Sequence, residues 1–283
     1  MNRSIYLKGQ LVLMLMLLCL CMQAQKKHAR SSTNIDTLAT LRDFVNVCNV
    51  YKQLPLYLDM EIVNTTNFVT GQEDTTRSEA IFYMKPGTTY IRFGETEQLV
   101  NDSMALLVSS RLQRMILYSN AQPVLQRMKA VPGMLQQDSS LQQMAASFTA
   151  KASATDQLVS SIILTGRNML HGTSLAKESV ELQYDKTTRE PLKVITLKRA
   201  LLPVKDDDYT VLSGKADLAD KLITIDGKGH FLVKEQVVTF VFKKIGHDAA
   251  MAVPATIADR IVKNDQGQFM PAKAYEGYAV TIN

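Results

Sequence analysis

The residues that could bind a metal ion are scattered along the chain. His28, His171, His230 and His247 lie far apart, and none has a second histidine or cysteine at the spacing of a ligand pair. The run Asp206–Asp208 offers carboxylate oxygens, but a calcium loop spaces its ligands and needs a glycine at its sharp turn. Surface histidines and a solvated acidic turn are the favoured interpretations, so no metal and no cofactor is predicted.

Residues for nucleophilic catalysis are equally sparse. Ser174 and Lys177 fit Ser-x-x-Lys, in which a lysine one helical turn away could act as base to the serine. The Ser-Asp-Asn and Lys-Thr-Gly partners of penicillin-recognising enzymes are missing, as is a Gly-x-Ser-x-Gly elbow. Asp226–His230 lacks the glycine spacing of a phosphate loop and is better explained as a tight turn.

A pair of carboxylates is the remaining catalytic candidate. Asp59 and Glu61 would lie on one face of a single strand, about 7 Å apart. That spacing lies between those of retaining and inverting glycosidases. The chain has no tryptophan for a sugar platform, and an ordinary solvated strand face explains the pair better. No catalytic constellation is found, so a non-enzymatic protein is predicted, although carboxylates from distant strands can still meet in space.

The elements that position these residues are mostly strands. After a helix that begins at Asp36 and ends near Gln53, apolar and polar residues alternate from Leu54 to Val63, as in a half-buried strand. Short strands with tight turns follow to Tyr118, and the pattern resumes at Gln157. This order predicts a mainly β (α+β) fold: an antiparallel incomplete β-barrel or strongly curved sheet of about ten to twelve strands, with two or three helices packed on it.

Two further segments complete the predicted organisation. A Gln-, Met- and Ala-rich stretch at about 119–153 is predicted as a helical insertion, and residues 35–283 as a single β domain. The run Thr239–Phe242 is apolar on both faces, which predicts a central strand covered on both sides. Residues 26–34 are polar and are predicted as a disordered linker.

The N-terminus resembles an export signal. Arg3 and Lys8 supply positive charge, and the apolar run 11–22 has the length of a signal-peptide core, whereas a membrane span needs about 20 residues. Ala24 places a small residue at the cleavage position, so residues 1–25 are predicted to be removed and the protein to be periplasmic or secreted. An uncleaved anchor is the alternative.

Loss of residues 1–25 would change the chemistry of the remaining chain. Cys19 and Cys21 follow leucines, which argues against a lipid-attachment site and hence against a stable membrane anchor. Their removal leaves Cys48 alone, so no intramolecular disulfide is predicted; a buried, inert thiol is favoured over a reactive thiol or a dimer link. The formal charge of +5 is mild and evenly spread, and no nucleic-acid partner is predicted.

A resemblance to a known family rests on the strand region. The stretch 78–93 has a strand, a Pro-Gly turn and an aromatic strand, residues 97–103 and 114–118 supply the next strands, and 184–193 reads Asp-x-x-Thr-x-x-Pro-x-Lys. Together these segments resemble the periplasmic lipoprotein-carrier family of LolA/LolB type, which folds as an incomplete β-barrel closed by helices. The resemblance covers about half the chain, and the family's tryptophans are missing.

That resemblance implies a carrier or binding protein for a lipid or acylated protein, with lipid or lipoprotein acyl chains and envelope proteins as partners. Alternation places five apolar side chains on one face of adjacent strands, and these are the predicted cavity lining: Leu56, Leu58, Met60, Phe82 and Met84. Fourteen methionines, ten of them after residue 25, suit an adaptable apolar groove as well as core filling. A structural or scaffold protein of an envelope assembly is the competing hypothesis, and an uncharacterised hydrolase comes third.

Overall fold

The computed structural model describes residues 35–71, 74–122, 138–248 and 250–283. The predicted signal segment 1–25 and linker 26–34 lie outside the described residues. The helices are α1 (Ile35–Cys48), continued by a 3₁₀ turn (Asn49–Lys52), α2 (Asp138–Ser147) and α3 (Asp206–Ser213). The strands are β1 (Leu56–Thr66), β2 (Thr76–Lys85), β3 (Thr88–Phe93), β4 (Thr96–Val100), β5 (Ala105–Ser109), β6 (Arg114–Tyr118), β7 (Phe148–Ala154), β8 (Val159–Gly166), β9 (Glu178–Asp185), β10 (Pro191–Val204), β11 (Leu222–Ile225), β12 (Gly229–Gly246), β13 (Ile261–Lys263), β14 (Phe269–Pro271) and β15 (Ala279–Ile282).

Thirteen of these strands form one sheet, in the order β15-β6-β5-β4-β3-β2-β1-β12-β10-β9-β8-β7, with β11 added beside β12. Every pairing is antiparallel except that of β15 with β6. Within the described residues the two edges, β15 and β7, do not pair with each other, so the sheet stays open. The predicted fold class, a mainly antiparallel β fold that is not closed and carries a few helices, is confirmed.

Strand β12 is the longest and lies in the middle of the sheet, between β1 and β10. The central position predicted from Thr239–Phe242 is therefore confirmed, whereas the predicted cover on both sides is not found, since Thr239 and Val241 are half-buried and belong to no apolar cluster of the described residues. The sequence pattern predicts two separate strands here, because the polar residues 234–236 interrupt the apolar run. They stay in the ladder because Glu235 lies opposite Arg199 and accepts a hydrogen bond from its Nε at 2.7 Å.

Alternation along the strands divides the buried side chains between the two faces of the sheet. On β2, for example, Phe82 belongs to one apolar layer and Tyr83 to the other. The helical layer lies between the sheet and the helices α1 and α2. Its buried members are Leu41, Val47, Leu56, Leu58, Met60, Ile62, Ala80, Phe82, Ile91, Met144, Ala145, Phe148, Ile162, Leu164, Val180, Leu182, Tyr184, Val194, Val238 and Phe240.

The C-terminal layer covers the opposite face of strands β2–β6. It is built from strand residues and from the last part of the chain: Tyr83, Tyr90, Leu99, Leu106, Val108, Met115, Leu117, Ala255, Ile257 and Ile261. The hydroxyl of Tyr83 donates to the carbonyl of Met251 at 3.1 Å, and β15 then extends the sheet beside β6. The tail is therefore a structural cover of this half of the sheet.

The prediction of a helical insertion at about 119–153 is wrong for its last residues, 148–153. Helix α2 ends at Ser147, and the residues from Phe148 to Ala154 form the edge strand β7. The sequence of this strand consists mainly of small and polar residues and therefore shows no apolar alternation. An edge strand needs little apolar content, and only Phe148 of β7 is buried. Residues 123–137, where the sequence predicts a further helix, lie outside the described residues.

The three aspartates at 206–208 form the first turn of α3, where the sequence predicts an acidic turn. Carboxylates are favourable there because the N-terminal end of a helix carries partial positive charge from its unpaired N–H groups. None of the helices in the described part of the chain has the length and apolar character of a membrane span.

Tyr90 links the C-terminal layer to the stability of the protein at alkaline pH. Burial, and secondarily the charge of Glu97, raise the pKa of Tyr90 to about 12. In the unfolded chain the Tyr90 hydroxyl releases its proton near pH 10. The stabilising contribution of the protonated hydroxyl to the free energy of unfolding is therefore complete below about pH 10, and it is lost as the pH rises through about 12. Urea denaturation at about pH 9 and about pH 11.5 should show a smaller loss of unfolding free energy in Tyr90→Phe than in the parent protein. Equal losses would contradict this assignment.

Candidate functional site

The five side chains predicted to line a cavity lie together in the helical layer. Strand β1 pairs with β2 so that Leu56 faces Met84, Leu58 faces Phe82 and Met60 faces Ala80. Leu56, Leu58, Met60 and Phe82 are buried, and Met84 is half-buried against them. Their common face is thus observed, whereas their role as the lining of a ligand cavity stays a prediction.

Helix α1 covers these strands with one apolar stripe. Leu41 and Val47 are fully buried, and Leu38, Val45 and Cys48 pack against the layer while remaining partly exposed. The spacing of three or four residues keeps this stripe on one side of the helix. Cys48 therefore belongs to the apolar packing, as its neighbours in the sequence indicate.

Residues from distant strands complete the layer, and sequence reasoning missed them as members of the same site. Phe242 lies opposite Met60 in the β1–β12 pairing, and Phe240 lies opposite Ile62. Ile162 and Leu182 face each other across β8 and β9. Each strand shows its own apolar face in the sequence, but the order of the strands decides which faces meet.

Helix α1 is attached to the sheet by a polar contact at its outer side. Arg189, in the turn between β9 and β10, donates to Asp43 of the helix and forms an ion pair with it. Its guanidinium also lies over the Tyr184 ring, 4.6 Å from the ring centre, and the Tyr184 hydroxyl donates to Asp43 Oδ2 at 3.3 Å. We refer to Asp43, Tyr184 and Arg189 as the helix latch.

The end of the layer near the 3₁₀ turn contains a buried phenol. The ring of Tyr51 packs against Phe242 with 5.7 Å between the ring centres. Burial, and secondarily the nearby Cys48, raise the pKa of Tyr51 well above its ordinary value. Its hydroxyl therefore keeps its proton and remains a hydrogen-bond donor in the folded protein.

The three histidines of the described residues contact different partners. His171 Nε2 lies beside the Lys228 ammonium, and the His230 ring stacks on Tyr209 with 4.0 Å between the ring centres. His247 Nδ1 contacts two backbone carbonyls. Within 35–71, 74–122, 138–248 and 250–283 there is no group of three or more histidine, cysteine or carboxylate side chains that could hold a metal ion. His28 lies outside these ranges.

The catalytic candidates from the sequence are also dispersed. Ser174 and Lys177 lie in the connection between β8 and β9, so the helical spacing that would bring them together is not formed. Glu61 forms an ion pair with Arg77 and lies opposite Glu79 on the neighbouring strand. The charges of Asp59 and Glu61 both act on Lys243. The carboxylate pair is thus part of a mixed charged strand surface.

No protein-family model matches the chain, and no curated protein matches its sequence. Several solved structures are similar to it. An uncharacterized conserved protein from Thermus thermophilus is 10% identical, with 85% of this chain and 99% of that chain covered and a TM-score of 0.34. A domain assigned to an outer membrane lipoprotein-sorting protein of Vibrio parahaemolyticus is 10% identical, with 76% and 95% covered and a TM-score of 0.26. A LolA superfamily protein from Nitrosomonas europaea is 9% identical, with 75% and 95% covered and a TM-score of 0.24.

Two of these solved structures have names of the lipoprotein-sorting or LolA type. Because the identities and TM-scores are low, the role of this chain has to be inferred from its own side chains.

Proposed function

We propose that this chain is an exported, non-enzymatic carrier or binding protein of the cell envelope, and that its helical layer receives the acyl chain of a lipid or of an acylated protein. The observation that carries this proposal is the helical layer itself. Strands from both halves of the sheet contribute apolar side chains to one face, and α1 and α2 cover that face. Residues 1–25 support export into the envelope.

The composition of the layer suits a flexible hydrocarbon chain. Met60, Met84 and Met144 lie in or against it. Methionine side chains are unbranched and polarizable, so they can rearrange around a ligand of irregular shape. When an acyl chain enters between the helices and the sheet, these side chains would exchange contacts with their protein neighbours for contacts with the acyl chain.

Entry of a ligand requires that α1 move away from the sheet, and the helix latch is suited to release it. The side chains of Arg189 and Asp43 are 42% and 37% exposed. A salt bridge at that exposure contributes less than about 1 kcal/mol. The ion pair therefore adds little to the cost of opening, and the main cost is the exposure of Leu41 and Val47, which burial of an acyl chain offsets at about 0.8 kcal/mol for each CH₂.

The test is the recovery of ligand from the native envelope. We expect mass spectrometry of the purified protein to detect a bound lipid or acyl group. Ala80→Leu adds bulk beside Met60 in the layer, whereas Ala279→Leu makes the same change at an exposed position of β15. The first variant should carry less lipid per protein than the parent and the second should carry the same amount.

Recovery of no lipid from the native envelope, or equal lipid loading of both alanine variants, would contradict a carrier function. Circular dichroism of the Ala80→Leu protein shows whether it keeps its strand content, so that a loss of lipid can be separated from a loss of fold.

A scaffold protein of an envelope assembly is the second candidate, and one observation favours it. The face of β1, β10 and β12 that lies opposite the helical layer carries half-buried apolar side chains that belong to neither apolar layer: Val63, Ile195, Leu197, Val237 and Val241. These side chains adjoin the charged residues Glu61 and Lys243 on the same face, and a surface that mixes apolar and charged groups in this way suits a protein partner. This function would be favoured if the purified protein carries no lipid but is recovered with another envelope protein.

A further inference from the structure

Four buried polar atoms have no hydrogen-bond partner among the described residues, and they lie at one end of the helical layer. They are Asn49 Oδ1, Tyr51 Oη, Lys52 Nζ and His247 Nε2, which we call the polar cluster. Buried polar groups are nearly always hydrogen-bonded, because an unpaired one loses its contacts with water and gains nothing in return. Four such atoms among residues 49–52 and at His247 mark this end of the layer as a candidate polar binding site.

Three members of the polar cluster are neighbours in the chain, and two contacts place the fourth, His247, beside the end of their turn. Asn49, Tyr51 and Lys52 belong to the 3₁₀ turn that follows α1. His247 Nδ1 lies 3.1 Å from the carbonyl oxygen of Gln53 and 3.0 Å from that of Pro55, immediately after this turn. Carbonyl oxygens only accept, so Nδ1 carries the proton. The opposite nitrogen, Nε2, is then available to a ligand.

The donors of the polar cluster suit a negatively charged oxygen. The Lys52 ammonium offers three N–H groups and a positive charge, and among the described residues it has no ion-pair partner. The Tyr51 hydroxyl keeps its proton because burial raises the pKa of that phenol. Hydrogen bonds to a charged oxygen are roughly twice as strong as those between neutral groups, so an oxyanion would offset the burial of these groups best.

The cluster is also continuous with the apolar layer. Tyr51 packs against Phe242, which lies opposite Met60 on β1. A ligand head held by Lys52 and the Tyr51 hydroxyl would therefore direct its chain toward the residues predicted as the cavity lining. This placement suits an amphipathic ligand with one acidic head and one hydrocarbon chain.

We propose that the polar cluster binds the oxyanion head, a carboxylate or a phosphate, of an acyl ligand whose chain lies in the helical layer. This inference rests on the proposed function and assigns the ligand class. Lys52 supplies the positive charge, and the Tyr51 hydroxyl donates a hydrogen bond to the oxyanion. His247 Nε2 and Asn49 Oδ1 are acceptors and can receive hydrogen bonds from a hydroxyl or amine of the head.

The experiment compares ligands that differ only in the head. Calorimetric titration of the delipidated full chain uses palmitate, hexadecanol and inorganic phosphate at one fixed pH. We expect palmitate to bind at least about ten-fold more tightly than hexadecanol, since only the carboxylate can pair with the ammonium. Lys52→Met keeps the apolar stem and removes the charge, and it should abolish that preference without weakening hexadecanol. Lys151→Met, at an exposed position of β7, should leave both affinities unchanged.

Tyr51→Phe removes a single oxygen and provides a second test if the lysine variant fails to fold. It should reduce the preference for palmitate several-fold and leave hexadecanol unaffected. Equal affinities of the two ligands, or equal weakening of both by these substitutions, would overturn the oxyanion site while the acyl-binding function stands. Binding of neither ligand would overturn both proposals. Lys52-dependent binding of inorganic phosphate as tight as that of palmitate would show a site for free anions and would overturn the assignment to an acyl ligand.

Discussion

Replacement of Met60 by alanine is expected to lower the free energy of unfolding by about 3 kcal/mol, within the range of about 2–5 kcal/mol typical of buried large-to-small substitutions. Met60 is 0% exposed and lies on β1, between Ala80 of β2 and Phe242 of β12. Removing its thioether and methylene groups loses their burial and leaves a cavity that the surrounding strands fill only in part. Urea denaturation of the delipidated protein, followed by far-UV circular dichroism, measures the change.

Met270→Ala is the matched control for this substitution. Met270 also lies on a strand, β14, but it is 47% exposed and belongs to neither apolar layer. Its replacement should change the unfolding free energy by no more than about 0.5 kcal/mol. If the two variants lose the same stability, Met60 does not have the central packing role described above. A loss near the lower end of the range would fit a helical layer that is loosely filled before the ligand binds.

Removal of the Glu97 side chain is expected to lower the unfolding free energy by about 3 kcal/mol, as for other ion pairs withdrawn from water. Arg260 Nε donates to Glu97 Oε2 at 2.7 Å and Nη2 donates to Oε1 at 3.3 Å. The two side chains are only 15% and 14% exposed, and Arg260 also lies over the Tyr275 ring. In Glu97→Ala the guanidinium of Arg260, which belongs to the tail, would stay against the sheet without its counter-charge. The measurement is urea denaturation at neutral pH.

Glu79→Ala provides the control for this ion pair. Glu79 pairs with Lys243 at a similar distance, 2.8 Å, but these side chains are 63% and 42% exposed. Solvent and salt screen such a pair, so its removal should have no measurable effect on stability. Limited proteolysis gives an independent readout, because Glu97→Ala should accelerate cleavage within residues 250–283 and Glu79→Ala should not. Equal behaviour of the two variants would show that the Arg260 contact does not hold the tail on the sheet.

The sequence by itself determined the local elements and the face of each strand. The alternation from Leu56 to Ile62 marks the buried face of β1, and the stretch 184–193 with its Asp-x-x-Thr-x-x-Pro-x-Lys pattern spans the turn between β9 and β10. The turn before β3 is also evident in the sequence, because Gly87 after Pro86 adopts a positive φ of 74°. These features depend on neighbouring residues, and backbone sterics and side-chain period act at that range.

Only the tertiary structure decided which of these faces meet. Met60 pairs with Phe242, far along the chain, and nothing in the sequence near either residue specifies the other. The tail forms the three short strands β13, β14 and β15, but only β15 joins the main sheet, and other tail residues cover the face of β2–β6 that carries Tyr83 and Leu106. The polar cluster could not be found from the sequence for the same reason. His247 reaches Gln53 only because β12 ends where β1 begins, and that pairing depends on the order of the strands across the whole sheet.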